Sequence, residues 1–145
     1  QGNEDSASRT AIHELAHVYL ALFHGDGPLP EWLHEGTAQE FEFSWKPSGS
    51  RRRESVRLVK RSLEDGSLMT LPELARMRFS ADNLSLYAAS WSAVSFLMAK
   101  DRPAFVAWVK LMKEGKEQEA AFSQAYGCSL QSAGQAWHSW VRALR

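Results

Sequence analysis

Glycine and proline punctuate this chain at intervals that leave room for helices and for little else. "GDGPLP" at 25–30, "SWKPSGS" at 44–50, Asp65-Gly66, Pro72, Pro103 and Gly115 all fall between apolar-periodic stretches. Both residues are costly inside a helix, so the lengths between them are natural helix bodies. No stretch of four to eight residues alternates cleanly enough to make a strand. The fold class expected is mainly α, with six or seven helices. The first runs from about Ser8 to His24, with Ser6 or Ser8 as N-cap. The second runs from Pro30 or Glu31 to Phe43, with Pro30 suited to its first turn. "SWKPSGS" is a loop. Further helices cover about 51–64, 84–100, 103–113, 117–126 and 130–144, with a short one in "TLPELARMRF".

A length of 145 residues fits one domain, 1–145, with one core: a helix pair over 1–45 and a helical remainder over 46–145. Seventeen basic and seventeen acidic residues cancel, which gives no footprint for nucleic acid. Arg51-Arg52-Arg53 reads as a solvated helix start. Cys128 is the only cysteine, so no internal disulfide and no cysteine-based zinc site can form. "YAASWSAVSFLMA", the most apolar stretch, is too short and too rich in serine to span a bilayer. The chain opens on "QGNEDSASRT" with no apolar leader, which reads as a fragment of a longer protein. The six tryptophans read as core and groove lining.

Four of the five histidines lie between Thr10 and Glu42. On a helical wheel Ile12, Leu15, Ala16, Tyr19 and Phe23 form an apolar stripe that should face the core. His13 and His17 stand together on its flank, one turn apart, and Glu14 is rotated slightly further round. This is the H-E-x-x-H spacing, in which two imidazoles reach one cation and a carboxylate stands beside it. Zinc suits such a pair, because it takes nitrogen ligands in a tetrahedron.

A third ligand has two candidates. His24 faces the same way as His17, but seven residues along a helix separate them by roughly 10 Å. His24 reads as a helix-end histidine favoured by the dipole. Glu35 follows His17 after seventeen intervening residues. If "GDGPLP" folds the second helix back on the first, Glu35 projects toward both imidazoles, and Gly36 lets the two backbones approach. Trp32, Leu33 and Phe41 would anchor the pair. Gln39, one turn beyond Glu35, is placed to hydrogen-bond a ligand. His34 points away and reads as a surface or supporting residue. Glu40 and Glu42 are expected in solvent, and His138 is read as structural.

"HELAH", a proline-rich turn and "PEWLHEGTAQEFE" together resemble the gluzincin zinc metallopeptidases. The likeness is nearest to the bacterial Peptidase MA-like group and extends more distantly to aminopeptidase-N-type catalytic domains. "LSLYAASWSAVSFLM" and "FSQAYGCSLQSAGQAWHSWVRAL" are similar to the helical tail of that group. The resemblance implies a zincin-like domain that binds Zn²⁺ through His13, His17 and Glu35, with Glu14 as general base. It implies peptide-bond hydrolysis by a zinc-activated water, a peptide or protein substrate, and an extracytoplasmic bacterial setting. Two departures stand out. Thermolysin-like members carry an Asp where this chain has Gln39, and only twelve residues precede His13, so the family's N-terminal β-sheet is expected to be absent.

An oxyanion also needs a donor, and Tyr87 is the candidate, since related enzymes use a Tyr or His from a later helix. The alternative function is a zinc-stabilised helical binding module without turnover. Oligomeric state is left open.

Overall fold

A computed structural model describes residues 2–45, 49–80 and 82–145, and for residues 2–6 the backbone alone. Among the described residues there are eight helices in chain order: α1 (Gly2–Leu22), α2 (Glu31–Trp45), α3 (Ser50–Glu64), α4 (Leu71–Leu74), α5 (Leu84–Lys100), α6 (Arg102–Lys113), α7 (Gln118–Tyr126) and α8 (Leu130–Ala143). The mainly α expectation holds: seven longer helices match the seven expected, and α4 is the short one read in "TLPELARMRF"; among the described residues there is no strand.

Local chemistry sets most boundaries. Asn83, Asp101 and Ser129 each accept a backbone N–H in the first turn of α5, α6 and α8. Thr70 and Glu73 form a reciprocal capping box that makes α4 a defined turn. Gly127, at φ 69°, ends α7. The first helix departs from expectation at both ends. It begins at Gly2, so Ser6 and Ser8 lie inside it, and it stops at Leu22. His24 stands beyond it with a φ of 46°. α2 runs two residues past Phe43; residues 46–48 of the expected loop lie outside the described residues.

α5 is the axis of the molecule. It packs against α2, α3, α4, α6 and α8, and ten of its residues are buried. Of its two buried serines, Ser92 donates to the Ala89 carbonyl and accepts from the Trp137 indole N–H, whereas the Ser90 hydroxyl has no partner among the described residues. Trp32, Leu33, Leu71, Trp108, Phe122 and Trp137 fill the core around it.

α1 packs chiefly on α2. Its apolar stripe is only partly used. Ala16 and Leu20 are buried, but Leu15 and Tyr19 are exposed, as are Val18 and Leu22. The wheel identified the apolar positions; the number of neighbours decides which are covered, and α1 has essentially one.

The turn between α1 and α2 is clamped from α6. Gly27 donates its N–H to the Lys113 carbonyl at 2.8 Å, and a Cβ there would fall 2.2 Å from the Met112 carbonyl oxygen. The buried Lys113 side chain reaches back and donates to the Ala21 carbonyl at 3.1 Å. That satisfies one of the carbonyls a helix end leaves without an internal partner. Backbone and side chain of one residue therefore hold both the end of α1 and the turn after it.

Gly36 does allow a close approach, but not to α1 as expected. A Cβ at Gly36 would sit 2.5 Å from the Ser90 carbonyl oxygen and 2.8 Å from Val94 Cγ2, both on α5. The glycine seats α2 on the central helix. Gly36→Ala should therefore destabilise the metal-free chain by about 1–3 kcal/mol, the usual cost of overpacking a tight contact. Denaturant unfolding checks this; an unchanged midpoint would show that α2 and α5 can separate freely.

Candidate metal centre

α1 and α2 bring three ligand-type side chains together. His13 Nε2 lies 3.4 Å from Glu35 Oε2, and His17 Nε2 lies 3.6 Å from Glu35 Oε1. The imidazole centroids are 4.9 Å apart, nearly edge-on. One ligand atom from each of the three residues can be chosen so that all lie within 4.8 Å of one another. Four ligands of one tetrahedral zinc, bonded at about 2.0–2.1 Å, stand about 3.3–3.4 Å apart. Both carboxylate–imidazole distances are close to that spacing. Two neutral nitrogens and one carboxylate oxygen also form a zinc-type donor set. The residues present fit a zinc ion.

The chain matches the family model described as Peptidase MA superfamily over residues 2–143. It belongs to the Peptidase MA superfamily. No curated protein and no solved structure matches it. Membership of this superfamily supports a metallopeptidase-like function at the coarse level, and the His-His-Glu cluster is where metal dependence would reside. No helix among the described residues is long and apolar enough to cross a membrane.

Around the cluster, a cleft of about 550 Å³ is lined by His13, Glu14, His17, Glu35, Gln39, Arg51, Leu84 and Tyr87. Glu14 is exposed on its wall, rotated from the two ligand-type histidines as the wheel indicated. Tyr87, in the first turn of α5, is half-buried and stands edge-on to Phe79 at 5.0 Å. Burial, with the Glu35 and Glu31 carboxylates nearby, raises its hydroxyl above the ordinary tyrosine range, so it stays a donor. A second hollow beside it is lined by Glu14, His17, Glu31, His34, Glu35 and Phe79. His34 is therefore neither remote nor in the ligand cluster: its ring lies 5.8 Å from that of His17. Burial first, and the charge of His17 second, hold its pKa below the usual histidine value.

His24 pairs with Glu114 at 2.5 Å and stands outside the cluster. His138 contacts the Met69 carbonyl at 3.1 Å, in keeping with a structural role. Gln39 is buried and its Oε1 has no partner among the described residues.

Glu40 and Glu42 are not solvated as expected. Glu40 accepts the Trp91 indole N–H at 2.9 Å. Glu42 is 1% exposed, with one oxygen 2.8 Å from the Arg51 guanidinium and the other 3.8 Å from His13 Nδ1. Arg51 is accordingly a wall of the cleft and not simply a solvated helix start. A signal for Glu42 did exist: Glu35, Gln39 and Glu42 stand at i, i+4 and i+7, one face of one helix.

Two carboxylates against one imidazole leave a strong mark. His13 is pushed up from 6.5 to about 9, first by Glu35 and then by Glu42, against the opposing effect of burial. Glu35 is held below the usual carboxylate range, first by His13. In the metal-free chain protonated His13 contributes stability that is fully present below pH 6.5 and is lost as pH rises through about 9. Ionised Glu35 contributes stability that is present above about pH 4.5 and is lost as pH falls through its lowered value. A cation at these nitrogens must displace that proton, so its affinity should rise with pH over the same alkaline interval. Unfolding of the chelator-treated chain from pH 5 to 10 checks the first part; stability that does not fall between pH 6.5 and 9 would contradict it.

Proposed function

We propose that this chain is the catalytic domain of a zinc-dependent metallopeptidase of gluzincin type. Its metal ligands would be His13, His17 and Glu35, its general base Glu14 and its oxyanion donor Tyr87. The observation that carries the reading is the placement of Glu35: a carboxylate from α2 meets both α1 imidazoles at zinc-compatible spacing. Three protein ligands leave a fourth position open, as in catalytic sites.

Zinc, when bound, supplies Lewis acidity, acidifying a water and polarising a carbonyl. The remaining work belongs to the chain. Glu14, on the α1 turn that carries both histidines, takes the proton from the attacking water and passes it to the leaving amine. Being exposed and outside the cluster, it is free to move that proton without disturbing the ligands. Tyr87, across the cleft, donates its hydroxyl to the oxygen that gains charge. The open cleft suits a peptide or protein substrate. The single domain 1–145 is taken as one functional unit, and an extracytoplasmic bacterial setting fits the family likeness.

A second reading has one observation in its favour. The described residues include no strand, so an extended peptide has no sheet edge to join. In that reading the same ion only clips α1 to α2, and the chain is a zinc-stabilised binding module.

Glu14→Gln should abolish hydrolysis of a broad peptide library while leaving zinc bound at one equivalent. Tyr87→Phe should also keep its zinc and lower kcat by about a hundredfold, with little change in KM. Library cleavage, kinetics and metal content together check both. Full activity in Glu14→Gln would refute the mechanism, and a zinc-loaded wild type that cleaves nothing would favour the binding module.

A further inference from the structure

Glu42 is the only buried aspartate or glutamate among the described residues. It lies two helical turns beyond Glu35 on the same face of α2. One of its oxygens meets Arg51 at 2.8 Å. The other, Oε2, is buried, has no hydrogen-bond partner among the described residues and stands 3.8 Å from His13 Nδ1.

A buried carboxylate is costly unless both its oxygens are compensated. The Arg51 pair alone does not account for it. The Arg51 side chain is 54% exposed, and pairs at such positions contribute little. An ion pair there could be made equally well by an acid on the surface. What the buried position adds is the second oxygen, aimed at the nitrogen of His13 that faces away from Glu35. The other nitrogen, Nε2, is the one within 3.4 Å of Glu35.

We infer that Glu42 is a positioning residue for His13: its second carboxylate oxygen, 3.8 Å from Nδ1, favours the tautomer with the proton on Nδ1 and so leaves Nε2 turned toward the cation, while Arg51 holds Glu42 in place. Carboxylates behind a ligating imidazole set its tautomer and ring orientation and raise its strength as a ligand. Glu42 touches neither substrate nor the reacting atoms and acts only through the ring. This role rests on the zinc reading above and refines it.

The test uses the full chain and zinc itself, with affinity read by competition against a chromophoric chelator and folding read by unfolding of the metal-free protein. Glu42→Gln keeps the shape and removes the charge. It should bind zinc about 10–100-fold more weakly than wild type, alongside any loss of metal-free stability from the missing Arg51 and His13 contacts. Glu42→Asp keeps the charge and should lose less; it also keeps the test open should the glutamine variant not fold. Wild-type affinity in Glu42→Gln would overturn the role, as would lowered metal-free stability with affinity intact, which is the pattern of a purely structural Arg51 anchor. A wild-type chain that takes up no zinc would instead overturn the metal centre, and this role with it.

Discussion

Everything at this site depends on a helix hairpin held from outside. Two imidazoles on α1 and a carboxylate on α2 meet only if the 25–30 turn has one geometry, and a turn of two glycines and two prolines does not choose that geometry unaided. α6 chooses it. The Lys113 carbonyl holds the Gly27 N–H, and its ammonium closes the end of α1. Gly36 then seats α2 on α5 at a distance no side chain would permit. The cluster is thus built on helices and supported by the core, the arrangement that keeps ligand geometry within narrow limits.

The electrostatics of that convergence explain why such a site would favour a cation. With Glu35 and the buried Glu42 acting on His13, a single proton is held strongly enough to move the ring to about 9. The proton occupies ground that a divalent ion would take with greater charge. Around it the cleft divides its labour by element: Glu14 on α1, Gln39 and Glu35 on α2, Arg51 on α3 and Tyr87 on α5. Four helices contribute to one cleft, so its shape depends on the packing of the whole domain.

Much of this was legible in the residues. The starts of α5, α6 and α8 were readable to within a residue, and each is a place where a local cap, Asn83, Asp101 or Ser129, fixes the boundary. The His13–His17 spacing is local too, and Glu35 followed from one fold-back at a turn rich in glycine and proline. The misreadings share a cause. Leu15 and Tyr19 are as apolar as Ala16 and Leu20, but only tertiary neighbours decide which of them is covered. Gly36 announced a close approach without naming its partner, which is α5. Glu42 was read as solvated because acids usually are; its burial depends on His13 and Arg51, one on each side. The start of α1 was placed late because Ser6 and Ser8 are good caps, yet the helix runs through both.

The central claim is that His13, His17 and Glu35 share one zinc ion. Zinc X-ray absorption on the full chain loaded with one equivalent tests it most directly, with Glu35→Ala measured beside wild type. For wild type the expected shell is nitrogen and oxygen only, with two imidazoles and bonds of about 2.0–2.1 Å. In Glu35→Ala the ion should be lost or its oxygen shell changed. A wild-type spectrum with one imidazole or none, or a Glu35→Ala spectrum identical to wild type, would contradict it.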